Sequence, residues 1–411
     1  MASTITFFPV GNGDMTLIVL GDETAMRILI DCNIRGAADD PNDETCDVAH
    51  DLRDRLKRDD AGRPYVDAFA WSHPDQDHCR GIRKHFYLGD PKAYPDDKKP
   101  DSEKRILIRQ MWSSPIVYRR ASADHPLCED AKALNTEAKR RVEVAREKKF
   151  VGIQDGDRIL ILGEDENGKT DDLGPILVKV DQDINAISGV RSSVFKARLL
   201  APILIPEDEC EEEELDKNHS SVILNIELAD DATRQTVKRF LTGGDAEVLI
   251  WEQLWEKFKK SPGVLGYDLL QTPHHCSWHS LSHDSRTDLG DQAKVSPNAK
   301  SALSQIRSGG TVVASSDVIK DDDKDPPCFA AKRIYESITA DAQGEFICTG
   351  SYPTESKPAP LEYVLRDQKL VKSPRQLSTA SKTLTAPLID MIGRRAAEAE
   401  AVTKGGNSRY A

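Results

Sequence analysis

Short apolar runs separated by polar turns dominate the start of the chain. Residues 4–8, 15–20 and 27–30 are three such runs, each as long as a typical β-strand. A helical pattern covers residues 45–58, and another apolar run at residues 66–71 predicts a buried strand. The first part of the chain is therefore predicted to be a strand meander followed by a helix and a strand.

Strands and helices alternate along the rest of the chain. Helices are predicted over residues 129–148, 246–259, 299–307 and 329–338, and strands over residues 106–112, 158–162, 176–180, 198–205, 222–228, 239–242, 269–272, 311–315 and 345–349. A meander followed by this alternation favours an α/β fold, as a four-layer αβ/βα sandwich. In such a sandwich two mixed β-sheets pack together and helices flank them.

The same pattern predicts the domain organisation. We expect one domain over residues 1–370, with a partly helical insertion at about residues 90–150, which opens with a Pro- and Lys-rich loop. Residues 371–411 are predicted to form a polar C-terminal tail with a helix over residues 388–402.

Composition narrows the class of protein. Of 411 residues, 38% are hydrophobic and 30% charged, as in a globular protein. No apolar run approaches the about 20 residues of a membrane helix, and the N-terminus lacks a secretory pattern. The eight cysteines form no CxxC pair. We therefore expect a cytoplasmic protein with reduced thiols and no membrane partner.

The net charge of −13 argues against a large non-specific DNA-binding face. It leaves a nucleic-acid substrate open, because bound divalent metals add positive charge locally.

The candidate chemistry begins directly after the buried strand at residues 66–71. His73, Asp75, Asp77 and His78 lie within six residues, in the pattern HxDxDH. Such closely spaced side chains cannot all face one way on a strand or helix, but they can converge on a loop at a strand end. We interpret the run as a metal-binding motif.

Further histidines and aspartates lie next to other predicted strands. These are Asp31, His219, Asp245, His274 and His275. Strand ends on one edge of a sheet meet at one site, and several carboxylates in one pocket would repel one another and become protonated. Two divalent cations would remove that conflict, so the pattern predicts a site for two metal ions.

The motifs resemble those of metallo-β-lactamase-fold hydrolases. Ile30-Asp31, the HxDxDH run, the run Leu241-Thr242-Gly243-Gly244-Asp245 and the run Pro273-His274-His275-Cys276-Ser277 occur in that family's order. The resemblance covers roughly residues 4–365 and is greatest to the hydrolase domain of the DNA-uptake competence channel protein (ComEC-like). In that domain the runs 10–14, Val-Gly-Asn-Gly-Asp, and 218–221, Asn-His-Ser-Ser, also have counterparts.

The resemblance implies a role for each matching residue. His73 and Asp75 would hold one metal, Asp77 and His78 would lie toward the second, and Asp245 would bridge them. His274 would complete the second metal, with His275 as the alternative, and His219 would be a further ligand, with Asn218 as its rival. Asp14 and Asp31 would orient ligands or loops.

Some positions depart from the commoner motif. Asp75 stands where His is usual, although competence-type domains share this Asp, and the extra oxygen ligand makes manganese a competitor of zinc. Cys276 replaces a Gly, and Trp278-His279 replaces a basic or small pair. The changes at Cys276 and at Trp278-His279 bear on substrate specificity rather than on the metal site.

The predicted activity is metal-dependent hydrolysis by a hydroxide that two metals activate. The favoured substrate is a phosphodiester in a nucleic acid or nucleotide. Asp77 would orient the nucleophile and pass a proton, and His279 or Lys294 would contact a phosphate. The alternatives are a carbonyl hydrolase of lactonase or thioesterase type and an interaction module of a multi-protein system, with a redox di-iron role ranked last. Stand-alone relatives often occur in bacterial defence operons, which is where protein partners would be sought.

Overall fold

Two mixed β-sheets form the centre of the fold. The computed structural model describes residues 2–40, 43–120, 126–203, 217–231 and 233–373, and residues 1–375 form one compact unit. In chain order the described strands are β1 (Thr4–Phe7), β2 (Thr16–Val19), β3 (Arg27–Ile30), β4 (Cys32–Asn33), β5 (Lys57–Arg58), β6 (Pro64–Ala70), β7 (Phe86–Tyr87), β8 (Ile106–Ser113), β9 (Arg158–Leu162), β10 (Leu177–Val178), β11 (Asp183–Ile184), β12 (Ala186–Ile187), β13 (Val190–Arg191), β14 (Phe195–Ala201), β15 (Ile223–Ala229), β16 (Val237–Leu241), β17 (Tyr267–Gln271), β18 (Ile306–Ala314), β19 (Glu345–Cys348), β20 (Leu361–Arg366) and β21 (Lys369–Lys372).

The first sheet changes from antiparallel to parallel along its width. Its order is β10-β9-β8-β6-β3-β2-β1-β20-β21, with β5 beside β6 and β7 beside β8. Strands β1, β2, β3, β20 and β21 pair antiparallel, whereas β3, β6, β8, β9 and β10 pair parallel. Parallel pairing places the carboxyl ends of β3, β6 and β8 on one edge.

The second sheet repeats this change. Its order is β11-β14-β15-β16-β17-β18-β19. Strands β11, β14, β15 and β16 pair antiparallel, and strands β16, β17, β18 and β19 pair parallel. The carboxyl ends of β16, β17 and β18 therefore also share one edge.

Helices complete the outer layers. The described α-helices are Val48–Arg55, Gln76–Cys79, Ile82–His85, Ile116–Arg119, Glu129–Glu147, Val248–Phe258, Arg286–Leu289, Pro297–Leu303 and Phe329–Asp341. Helices Val48–Arg55 and Glu129–Glu147 share a buried cluster with the outer face of the first sheet, and helices Val248–Phe258 and Phe329–Asp341 share one with the second.

A third apolar cluster fills the space between the sheets. Strand residues alternate between layers, so Ile18 faces the other sheet while Leu17 faces the helices. The rings of Phe7 and Phe240 meet edge to face across this layer, with centroids 5.5 Å apart. The predicted α/β sandwich of two mixed sheets flanked by helices is confirmed.

The structure also shows elements that the apolar pattern did not indicate. Strands β20 and β21 extend the first sheet beyond β1, and β21 spans the predicted domain boundary at residue 370. Within the predicted insertion at about residues 90–150, the predicted strand and helix are present as β8, which lies between β6 and β9, and as the long helix Glu129–Glu147. The helix predicted over residues 388–402 lies outside the described residues.

Candidate metal centre

The carboxyl ends of parallel strands bring the acidic and imidazole side chains together. Asp31 follows β3, and the HxDxDH run follows β6, with Asp77 and His78 on the short helix Gln76–Cys79. In the second sheet Asp245 follows β16, and the His274–His275 pair follows β17. The two sheets therefore face one shared site across their edges.

Asp245 lies at the centre of this site. Its carboxylate is 3% exposed, and its Oδ1 lies 3.0 Å from His78 Nε2 and 3.4 Å from His275 Nε2. The other oxygen, Oδ2, lies 3.3 Å from His73 Nε2 and 3.7 Å from His274 Nε2. One carboxylate thus faces two sets of imidazoles through its two oxygens.

These contacts define two ligand groups that share Asp245. The first consists of His73, Asp75 and Asp245, and the second of Asp77, His78, His275 and Asp245. Within each group the nearest ligand atoms all lie within 4.8 Å of one another. Both groups have the nitrogen and carboxylate donors that divalent transition metals accept.

The positions of His274 and His275 differ from the favoured assignment. His275 joins the second group, with its Nε2 3.2 Å from Asp77 Oδ2. His274 instead lies beside the Oδ2 atom of Asp245 that faces His73, and its Nδ1 is 3.8 Å from Glu247 Oε1. The reason is local backbone geometry, because both residues and Cys276 adopt positive φ angles of 49°, 51° and 71°. Left-handed backbone is costly for such residues and is concentrated at functional sites.

Buried acceptors hold the two imidazoles of the second group in place. His78 Nδ1 lies 2.9 Å from Asp31 Oδ2, and Asp31 also accepts hydrogen bonds from the backbone and hydroxyl of Ser72. His275 Nδ1 lies 3.1 Å from the carbonyl oxygen of Ser315 and 3.5 Å from Asp14 Oδ1. Acceptors behind the ligating histidines are a regular feature of metal sites.

The donor set passes a simple test of fit for a cation. A carbonyl cannot donate, so the Nδ1 of His275 carries a hydrogen, and in the neutral imidazole its Nε2 presents a lone pair. That Nε2 faces the Nε2 of His78 at 3.2 Å. Two imidazole nitrogens at this distance need a proton or a cation between them and the carboxylates. The buried Nε2 of His73 makes no hydrogen bond within the described residues, which also fits a ligand atom.

The charges in the second group shift one another's pKa values. Burial opposes charge on His78, yet the carboxylates of Asp245 and Asp31 raise its pKa well above the ordinary value. The pKa of His275 rises in the same way. Burial likewise opposes charge on Asp245 and Asp77, but the imidazoles hold the pKa of both carboxyls below the usual range. The carboxylates therefore require nearby positive charge, for which protons and metal ions compete.

Other predicted residues belong to neither ligand group of the described structure. Within the described structure no ligand group includes His219, and its carbonyl oxygen accepts a hydrogen bond from Arg120. Its rival Asn218 donates to Glu247 at 2.9 Å, beside His274. His279 is exposed, as is Lys294. The structure therefore does not bring His219 or His279 together with the two ligand groups.

A cleft of about 520 Å³ borders the centre at Asp75 and Asp77. Asp75, Asp77, Arg80, Cys128 and Lys217 are among its lining residues. Lys217 Nζ lies 2.7 Å from Asp75 Oδ2. The sequence reasoning missed Lys217 and Arg80, and it also missed Ser72 and Ser315. The signal for both serines was available, because each follows a strand at the edge that carries the ligands.

Comparisons with known proteins do not identify a family for this chain. No protein-family profile and no curated protein matches the chain. Among solved structures it is similar to the metallo-β-lactamase MIM-1 from Novosphingobium pentaromativorans, at 12% identity and a TM-score of 0.27, over 74% of this chain and 86% of that one. A likeness at this level carries no argument about the reaction. In the described part of the chain, every helix is too short or too polar to cross a membrane.

Proposed function

We propose that this chain is a metal-dependent hydrolase that cleaves phosphodiester bonds, as a phosphodiesterase or nuclease. The observation that carries the proposal is the sharing of Asp245 by two ligand groups, whose members Asp75 and Asp77 also line a cleft together with Lys217 and Arg80. Two adjacent metal sites are typical of phosphatases and nucleases. The motif resemblance to competence-type hydrolase domains supports the same class of substrate.

Each of the two ligand groups would hold one metal ion. His73, Asp75 and Asp245 would hold one ion, with His274 beside them, and Asp77, His78, His275 and Asp245 would hold the other. Divalent ions bound there would lower the pKa of water and draw electrons from the scissile phosphoryl group. With three aspartates among the ligands, the donor set suits manganese as well as zinc.

A side chain of the cleft would then position the attacking water. Asp77 is 27% exposed on its cleft side, whereas Asp245 is buried. The Asp77 oxygen that does not face His275 would accept a hydrogen bond from the attacking water and hold its proton. As the water oxygen bonds to phosphorus, the bond to the leaving oxygen breaks, and that oxygen takes up a proton.

The cationic residues of the cleft favour an anionic substrate. Arg80 and Lys217 lie beside Asp75 and Asp77 and are partly exposed. A guanidinium and an ammonium in this position would bind the non-bridging oxygens of a phosphodiester. A neutral lactone or thioester has no comparable need for them.

A substrate panel tests the proposal. Purified protein supplied with Mn²⁺ or Zn²⁺ is given single-stranded DNA, bis-p-nitrophenyl phosphate, a lactone and a thioester. We expect turnover of the diesters and its loss in Asp77→Ala. Turnover of the lactone or thioester without diester turnover would instead favour a carbonyl hydrolase. Absence of all four activities from metal-loaded protein would favour the interaction module.

A further inference from the structure

Two cysteines meet at the rim of the metal cleft. Cys79 directly follows His78 in the helix Gln76–Cys79, and Cys128 is the N-cap residue of the helix Glu129–Glu147. Their sulfur atoms lie 3.6 Å apart, although 49 positions separate them in the sequence. A thiol–thiol contact of this kind requires only a small approach to become an S–S bond of about 2.05 Å.

The two thiols have different surroundings. Cys79 is fully buried, and its Sγ donates a hydrogen bond to the carbonyl oxygen of Asp75 at 3.1 Å. Cys128 is half-buried and lines the cleft. An oxidant that enters the cleft would therefore reach Cys128 first.

The position of Cys128 favours its thiolate. Its Sγ accepts a hydrogen bond from the backbone N–H of Ala131 at 3.4 Å, at the positive end of a 19-residue helix. The Cys79 thiol can turn its one proton from the Asp75 carbonyl to the Cys128 sulfur, and this contact lowers the pKa of Cys128 to about 6; the backbone contacts act in the same direction. Thiolates at helix N-termini are the usual nucleophiles in thiol redox chemistry.

We propose that Cys128 is a hydroperoxide-reactive cysteine and that Cys79 resolves its oxidised form as an intramolecular disulfide. The oxidant is hydrogen peroxide or an organic hydroperoxide. Partly exposed, low-pKa cysteines beside a second thiol are the sites where such oxidation occurs. This modification site lies next to the metal ligands but is independent of the reaction proposed for them.

The chemistry balances in two steps. The Cys128 thiolate attacks one peroxide oxygen, the O–O bond breaks, and the departing hydroxide takes a proton to become water. The sulfur of Cys79 then attacks the sulfenic acid sulfur of Cys128, and hydroxide leaves with the Cys79 proton as a second water. Two thiols are oxidised and one hydrogen peroxide is reduced to two waters.

The disulfide would connect the helix Gln76–Cys79 covalently to the start of the helix Glu129–Glu147. It would replace the hydrogen bond between Cys79 and Asp75, and it would link the segment that carries His78 to the helix Glu129–Glu147. Oxidation would therefore cross-link the backbone segment that carries His78, a member of the second ligand group.

Peptide mapping of the full chain tests the proposal. Reduced protein is treated with an equimolar amount of hydrogen peroxide, alkylated and digested, and all eight cysteines are followed by mass spectrometry. We expect a Cys79–Cys128 linked peptide as the main oxidised product. Before oxidation, we expect iodoacetamide at pH 7 to alkylate Cys128 about tenfold faster than Cys46.

Variants separate the two roles. Cys128→Ser retains a good helix cap and should leave Cys79 reduced, whereas Cys46→Ser is the control that should leave the linked peptide unchanged. In Cys79→Ala, Cys128 should persist as a sulfenic acid that dimedone traps. If wild-type protein forms no Cys79–Cys128 peptide, or if Cys79 is oxidised to the same extent in Cys128→Ser, the proposal fails. The test needs neither metal nor substrate, so it is independent of the proposed hydrolase activity.

Discussion

The Nδ1 atom of His78 lies 2.9 Å from Oδ2 of Asp31, and this contact decides which nitrogen of His78 faces Asp245. Asp31 also accepts two hydrogen bonds from Ser72, so its position is fixed from both sides. It holds the imidazole without touching the cleft. A residue in that position affects metal affinity through orientation and basicity of the ligand.

Asp31→Asn should therefore weaken metal binding while leaving every ligand in place. The amide lacks the negative charge that supports His78, and we expect affinity to fall by about 10- to 100-fold. Competition with a chromophoric chelator measures the change. Asp101→Asn, at an exposed site away from the cleft, is the control and should match wild type. Equal affinities for the two variants would contradict a supporting role for Asp31.

Arg80→Ala should raise KM for a phosphodiester about tenfold with a small change in kcat. Arg80 lines the cleft but belongs to neither ligand group, so its loss removes binding of a phosphate oxygen, worth about 1.4 kcal/mol for a tenfold change. Steady-state kinetics on bis-p-nitrophenyl phosphate supply the numbers. The control is Lys320→Ala, at an exposed site elsewhere. A fall in kcat at unchanged KM would instead assign Arg80 to the chemical step.

A stability prediction concerns Asp96, a buried carboxylate between Arg105 and Lys99. Burial alone would raise its pKa, but the two cations hold the pKa at about 2, below the value of 3.8 expected in the unfolded chain. A carboxyl with a lowered pKa stabilises the fold above about pH 4, and that contribution is lost as the pH falls toward 2.

Asp96→Asn should therefore lower the free energy of unfolding at pH 7, by about 1 kcal/mol because both cations are partly exposed. The difference from wild type should shrink as the pH falls from 5 toward 2, in urea unfolding curves at each pH. Asp97→Asn is the matched control, since its ion pair with Arg63 is exposed, and should have a smaller effect. A difference that grows on acidification would have the wrong sign for this account.

Much of the site can be predicted from the sequence because several of its residues lie close together in the chain. Four ligand candidates within six residues, directly after a buried strand, lead to one position whatever the remaining fold. Asp31 and Asp245 were found by the same rule, since carboxyl ends of parallel strands share an edge. The strand meander and the later alternation of strands and helices can likewise be predicted, because each element corresponds to a short, continuous stretch with a characteristic apolar pattern.

The remainder depends on contacts that no local pattern contains. Whether His274 or His275 enters the second group is set by three consecutive left-handed residues, a conformation that their types do not predict. The contact of Cys79 with Cys128 and that of Lys217 with Asp75 join distant segments. Strand β20 pairs with β1 across more than 350 residues, which only the folded sheet reveals.

The most direct test of the central claim is the metal content of wild-type protein and of Asp245→Ala. Each is loaded with Mn²⁺ or Zn²⁺, passed through a desalting column and measured by inductively coupled plasma mass spectrometry. Since Asp245 belongs to both ligand groups, we predict two ions per wild-type chain and fewer than one in the variant, with Asp75→Ala losing only one. Wild-type protein without bound metal, or a folded Asp245→Ala that retains both ions, would contradict the account.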